Sequence, residues 1–344
     1  MNWNLDKLTL ALAAGIILPD VTTYITSENR MQLAQDAAQP GLITTANAGI
    51  PAYLTNWLDP KQIEVLVAPM KAAEICGETR KGDWVTFTAQ FPMVESTGET
   101  AAYGDWNSAG SSNVNLQFVT RESYHFQTWT NWGERELATT GLAKVDLASR
   151  LNISSALTLA KQMNKIYFLG VTGLQNYGLL NDPGLNASIL PGSKTASGYT
   201  WAAGTATEII LDIKLLYAQL VSQTNGLVQL DSKMILAMSP AAEAELAKSL
   251  PNVWGQPTAM KFIKDTYKNT EIITAPEYAT SGGGLVQMIV PAYEGQESVS
   301  CAFTEKLRAH AIERKSSGFK QKKSAGSWGC LIYRPMFVAG LLGV

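Results

Sequence analysis

The 344-residue chain predicts an α+β fold: a long β-hairpin standing off a body made of one long helix, a small α/β unit and a returning set of strands. Three observations predict it. Residues 113–132, NVNLQFVTRESYHFQTWTNW, alternate without losing step, with Val114, Leu116, Phe118, Tyr124, Phe126 and Trp132 on one side and only Val119 and Trp129 on the other. That is the period of a strand with one drier face. A second alternating run lies in KGDWVTFTAQFPMVE, where Val85, Phe87, Ala89, Phe91 and Met93 oppose Thr86, Thr88 and Gln90. After residue 133 the period changes to helical spacing, and from 200 to 295 strand and helix signals alternate.

Residues 1–60 are cut by Pro19, Pro40, Pro51 and Pro60 and read as an extended N-terminal arm. The apolar run Leu8–Leu18 resembles a short signal sequence, but Asp6 precedes it and no small-x-small cleavage site follows, so a docking helix or arm is expected. Residues 61–79 form an entry segment with Ile63, Val67, Met70 and Ile75 near helical spacing. The two alternating runs make a hairpin over 80–132, with STGETAAYGDWNSAGSS as a broad tip of turn residues. A single strand of twenty residues would run roughly 65 Å, against about 17–20 Å for ordinary strands. Two strands alone are marginal in water, and no third strand of such length lies nearby, so another surface must cover them.

Residues 133–199 hold a helix over about 142–169, carried by Val145, Ala148, Leu151, Ala156, Ala160, Met163 and Tyr167, followed by the glycine-rich stretch FLGVTGLQNYGLLNDPGL. In the α/β unit, 200–299, TATE sets Thr205 as an N-cap with Glu208 reaching back, and Asn225-Gly226 closes that helix. KMILAMS reads as a buried strand, Ser239-Pro240 opens a helix, another spans Thr258–Tyr267, and TEIITAPEY and GLVQMIVPAY are further strands. Residues 300–328 and 329–344 are returning strands.

Charged residues are 16% of the chain, well below the usual quarter, and net charge is −2. Much of the surface is therefore expected to meet protein, and no global pull towards nucleic acid exists. Cys76, Cys301 and Cys330 are scattered without CxxC spacing and read as buried thiols of a reducing compartment. No segment reaches the length of a membrane span, so no membrane partner is expected.

Catalytic patterns do not emerge. His125 and His310 have no second ligand at metal spacing and read as structural, so no metal and no cofactor are expected. LPGSKT, 190–195, fails as a phosphate loop because Ser193 separates Gly192 from Lys194. SGGGL, 281–285, lacks the following helix of a dinucleotide site. Glu95, Glu99, Glu134 and Glu136 read as solvated or salt-bridged; Arg314, Lys315, Lys320, Lys322 and Lys323 could touch nucleic acid, but with only Phe319 interleaved an intersubunit charge surface is at least as well supported.

A projecting hairpin, a long helix, a separate α/β unit and returning strands, in that order, resemble the major capsid proteins of tailed bacteriophages with the HK97-like fold. The strings KGDWVTFTAQFPMVESTGETAAYGDW, GLQNYGLLNDPGL and YRPMFVAGLLGV carry the resemblance over roughly residues 45–344. The resemblance implies that 80–132 is the E-loop, a hairpin laid over a neighbouring subunit. It makes 61–79, 133–199 with a spine helix, and 300–328 the P-domain, 200–299 the A-domain, and 329–344 a strand returning to the A-domain. It implies pentamers and hexamers closing into an icosahedral head around double-stranded DNA, touched non-specifically. It further implies assembly in the host cytoplasm and a portal, with a decoration protein left open; the stretch before residue 45 is too short and proline-broken for the scaffolding domain of some members, so scaffolding, where used, is expected from a separate protein.

Subunit joints are expected to be non-covalent, through Val85, Phe87, Phe91, Val114, Leu116, Phe118, Tyr124 and Phe126 of the E-loop. Gly77, Gly82, Gly133 and Gly141 are the candidate hinges between quasi-equivalent positions. An encapsulin-type shell around cargo enzymes is the alternative on the same fold. A soluble α/β enzyme and a tail-tube protein are the more distant ones.

Overall fold

The computed structural model describes residues 69–142, 147–196, 198–251 and 256–344. The expected arm over 1–60 and the first part of the entry segment lie outside the described residues.

The described chain opens with a short helix, α1 (Ala72–Cys76), and strand β1 (Glu78–Arg80). Strands β2 (Thr88–Glu99) and β3 (Ser111–Glu122) follow, then β4 (Tyr124–Gly133). Helix α2 (Glu134–Leu142) precedes the long helix α3 (Leu147–Leu169), whose 23 residues run about 35 Å. Next come α4 (Ala206–Gln223), β5 (Met234–Met238), α5 (Pro240–Glu245), α6 (Ala259–Thr266), β6 (Thr270–Thr274) and the short β7 (Ala279–Thr280). The chain continues through β8 (Gly283–Ile289), β9 (Ala292–Tyr293), β10 (Gln296–Glu297), β11 (Val299–Lys315), β12 (Gly318–Ile332) and β13 (Val338–Leu342).

Two sheets build the body. The first has the order β1-β11-β12-β4, with β1 parallel to β11 and the other pairs antiparallel. Helix α3 packs on it, because Leu159, Met163, Tyr167 and Phe168 recur on one face and meet Ala325, Cys301 and Cys330. The second sheet runs β13-β8-β5-β6, with β7 paired to β8; β5 and β6 are parallel and joined through α5 and α6, as a crossover requires.

Strand β5 is buried along its whole length and serves both sides. Met234, Leu236 and Met238 pack with Ile209, Ile213, Leu216 and Leu220 of α4. Ile235 and Ala237 join the cluster that contains Tyr167 and Phe168 of α3. One shared core therefore ties the second sheet to the long helix. The expected cap is present: Thr205 and Glu208 form a reciprocal capping box at the start of α4. Ser239 and Thr258 cap α5 and α6.

Several expectations are corrected. The twenty-residue strand is two strands with different partners: β3 pairs with β2, while β4 pairs with β12. The break falls at Ser123, whose N–H donates to Phe87 O (2.8 Å) and whose hydroxyl donates to Thr86 O (2.7 Å). Each half keeps its own alternation of residue types, although along β3 both faces of residues 111–118 are exposed in the subunit. Strand β2 begins at Thr88, so Val85 and Phe87 lie in the preceding turn and approach. Helical structure begins earlier than expected, with Glu134–Leu142 as α2, and the long helix is described over Leu147–Leu169. Residues 329–332 still belong to β12, and the return to the second sheet begins after Pro335.

Candidate assembly interface

Strands β2 and β3 form a two-stranded ribbon with no third strand on it among the described residues. Their register pairs Pro92 with Phe118, Val94 with Leu116 and Ser96 with Val114, and paired residues share a face. That face carries Pro92, Val94, Val114, Leu116 and Phe118, and the last four are 65%, 50%, 60% and 58% exposed. Isolated exposed hydrophobics are ordinary, but a contiguous row of them on an unsupported ribbon marks an interaction surface.

The opposite face behaves differently. Phe91 pairs with Val119, so it lies across the ribbon from Phe118 and does not share its surface as expected. Near the root, Ala89 and Phe91 pack on Ala302, Trp328 and Leu331, and the Phe91 ring meets Tyr333 edge-on at 6.2 Å. Tyr124 and Phe126 are also removed from the hairpin. They stack at 6.0 Å on β4, the edge strand of the four-stranded sheet, where Phe126 packs on the main core. The candidate interface therefore keeps Val114, Leu116 and Phe118, adds Val94 and Pro92, and leaves Val85 and Phe87 exposed (74% and 73%) beside the root.

At the far end, residues 101–110 form a broad tip. Asn107 organises it: its N–H donates to Gly104 O (2.9 Å), its side-chain amide donates to Ala102 O (2.8 Å), and its Oδ1 accepts from Ala109 N (2.9 Å). Tyr103 and Trp106 stand 94% and 99% exposed there, with the Tyr103 hydroxyl donating to Asp105 (2.8 Å).

The root is clamped by the glycine-rich loop after α3. Asn176, 1% exposed, donates from Nδ2 to both Glu122 O and Ser327 O at 3.0 Å. Arg121 forms a buried ion pair with Asp182 at 2.8 Å and lies over the Tyr177 ring. Asn181 donates to Leu169 O at the end of α3 (2.6 Å) and accepts from Gly178 N (2.7 Å). This close approach needs glycine: at Gly329, φ +78°, a Cβ would run into Tyr177 O. The string NYGLLNDPG thus encodes a fixture that joins hairpin, helix and sheet.

The candidate hinges fall in four settings. Gly77 closes α1 with φ +73° and open space around it. Gly82 is packed, since a Cβ there would touch Thr86 and the Trp328 ring. Gly133 ends β4, and Gly141 lies within α2, where helical hydrogen bonds restrain the backbone.

Motifs that suggested other chemistry are committed inside the chain. Lys194 of LPGSKT is buried in an ion pair with Asp212, which also accepts from Trp201 Nε1 (2.9 Å) and Gly192 N (3.0 Å). Thr195 donates to Glu208 from both N and Oγ1. These bonds, with those from Thr205, hold the Glu208 carboxyl down to about 2. His125 meets the Trp84 ring edge at 4.6 Å and contacts Thr304 Oγ1; burial lowers its pKa. His310 pairs with Ser324 (3.0 Å). Glu134 holds Arg314 at 2.9 Å, Glu136 accepts from Gly133 N, and Glu95 and Glu99 are exposed on β2.

The basic cluster is not one patch. Lys320 sits over Trp129 at 3.6 Å, whereas Lys323 is buried on Asn152 and Ser155 of α3. Sequence spacing missed one grouping altogether: Cys76, Cys301 and Cys330 converge, with all three Sγ atoms within 4.8 Å of one another. Strand pairing discloses it: β11–β12 register joins Cys301 to Cys330, and β1 alongside β11 brings up Cys76.

Residues 41–343 match the family model described as Pa193 gp26 major capsid protein. Comparison with curated protein sequences returns no match. In structure the chain is similar to the capsid of Myoviridae phage XM1 (TM-score 0.70, 15% identity, 87% of this chain and 100% of that one). It is also similar to the capsid of an empty GTA particle (TM-score 0.60, 11% identity, 88% and 100%) and to a structure described as Mycobacterium phage Ogopogo (0.56, 10%, 85% and 98%). The family match spans the hairpin, its clamp and both sheets: this chain belongs to the Pa193 gp26 major capsid protein family, tailed-phage shell proteins of the HK97-like fold.

Proposed function

We propose that copies of this chain assemble as pentamers and hexamers into a closed icosahedral head around double-stranded DNA, with the β2–β3 hairpin acting as the E-loop. The observation that carries this reading is the apolar row Pro92, Val94, Val114, Leu116 and Phe118 on a ribbon that nothing in its own described chain covers. A neighbouring subunit covers it. Each large side chain buried there contributes about 1.5–3 kcal/mol, so a shell of many repeated joints needs no single strong one. The clamp at Arg121, Asn176 and Asp182 holds the root while the tip, with Tyr103 and Trp106, reaches across.

In the same reading, α3 and the four-stranded sheet form the P-domain, and α4 with the second sheet forms the A-domain. Gly77 and Gly133, at element boundaries, take up the differences between quasi-equivalent positions; Gly82 and Gly141 do not. The role is structural, with joints made without covalent bonds. Assembly takes place in the host cytoplasm with a separate scaffolding protein and a portal. Electron microscopy of the purified chain, followed by nuclease treatment of heads from infected cells, tests this. Closed heads holding protected DNA are expected. Open tubes, or shells holding a co-purifying enzyme and no DNA, would overturn it.

A further inference from the structure

The three cysteines come from separate elements: Cys76 ends α1, Cys301 lies in β11 and Cys330 in β12. They are 4%, 0% and 0% exposed, in a cluster with Ala72, Ile75, Tyr167, Phe168, Leu179 and Val299. All three are free thiols. Cys301 and Cys330 are direct register partners. Neither N–H is spent on the other: Cys301 N donates to Gly77 O (3.0 Å) and Cys330 N to Tyr177 O (2.9 Å). They therefore form a non-hydrogen-bonded antiparallel pair, the closer kind, with Cα atoms about 4.5 Å apart. A disulfide spans Cα separations of about 4.4–6.8 Å. The third sulfur, on Cys76, stands 3.9 Å from that of Cys330.

We propose that this triad is an oxidation site, in which Cys301 and Cys330 become a disulfide across β11 and β12 and Cys76 is the thiol that starts the reaction. A metal centre is the competing use of three sulfurs. Among the described residues no histidine or carboxylate joins them, whereas a structural zinc site closes with four ligands. Three thiolates around a divalent ion would also leave net negative charge in an apolar core, while a disulfide leaves none.

The oxidant is a small peroxide. The Cys76 thiolate attacks hydrogen peroxide, giving Cys76 sulfenic acid and hydroxide, which takes up a proton to become water. The Cys330 thiol displaces a second water to form the Cys76–Cys330 disulfide. Cys301 then attacks the Cys330 sulfur and passes its proton to the departing Cys76, leaving the Cys301–Cys330 bond and a Cys76 thiol. Overall two thiols lose two electrons and two protons, and one peroxide becomes two waters. Hydrogen bonds from Cys301 and Cys330 pull the Cys76 thiol down towards its thiolate, while burial pushes Cys301 well up.

The test uses particles purified in reductant, exposed to hydrogen peroxide, then denatured in an alkylating agent and peptide-mapped. A parallel arm maps chain expressed in an oxidising cytoplasm, where the thiols meet oxidant while the chain folds. The expected result is loss of two alkylation sites and a crosslinked peptide pair containing Cys301 and Cys330. Cys301→Ser and Cys330→Ser abolish it. Cys76→Ser retains it but slows its formation in the peroxide arm several-fold. Three alkylated thiols in both arms, a final bond that includes Cys76, or one equivalent of bound metal in the reduced particles would each overturn the proposal.

Discussion

Arg121 and Asp182 meet at 2.8 Å beneath the root of the hairpin, 8% and 6% exposed, one from β3 and the other from the loop after α3. The pair fixes where the ribbon leaves the body. Asp182 also accepts from Gly184 N (2.8 Å), so its loop is folded around the same carboxylate.

Removing one partner leaves a buried charge unmatched. Asp182→Ala is expected to destabilise the unassembled subunit by about 3–5 kcal/mol, read from urea unfolding. Replacing both partners with apolar residues of similar volume, as in Arg121→Met with Asp182→Leu, should recover most of that loss. Equal damage from the single and double variants would contradict the assignment.

The two faces of the hairpin predict opposite outcomes for one type of substitution. Phe118→Asp changes an exposed side chain and should leave subunit stability within about 0.5 kcal/mol while abolishing particles. Phe91→Asp places a charge against Trp328 and Tyr333 and should lower the subunit's own melting temperature. Calorimetry of the subunits and electron microscopy of assembly reactions separate the two.

At the tip, Trp106 makes no demand on the subunit's own fold, being 99% exposed. Trp106→Ala should therefore preserve the unfolding curve and raise the protein concentration needed for assembly several-fold, measured by light scattering. An unchanged threshold would remove the tip from the joint.

Glu208 sets an acid dependence. Its carboxyl is held at about 2 in the folded chain against an ordinary value of 4.5. A depressed acid contributes stability that is present above the unfolded value and lost as pH falls through the folded one. Glu208→Gln should thus flatten the stability profile between about pH 4.5 and 2, as read by thermal melts across that range. A variant profile as steep as the native one would show that the capping box does not titrate.

Elements with local signals were legible in the sequence. Thr205 and Glu208, Ser239-Pro240 and the helical stripe through Met163 and Tyr167 each announce themselves within a few residues. So did the apolar row Val114, Leu116 and Phe118, since the alternation is carried by residue type alone. What depends on pairing was hidden. The break at Ser123 leaves the period intact on both sides, and only a change of partner strand, from β2 to β12, reveals it.

The long tip carries no tight-turn signature to set register, so the placement of Phe91 opposite Val119 could not be read. The convergence of Cys76, Cys301 and Cys330 depends on the pairing of β1 with β11, more than 200 residues apart in sequence, as well as on the β11–β12 register.

The most direct test of the central claim is a cryo-EM map of assembled particles at side-chain resolution. Burial of Val94, Val114, Leu116 and Phe118 beneath an adjacent copy is the predicted result. A ribbon left bare to solvent in the closed shell, or folded down onto its own subunit, would contradict it.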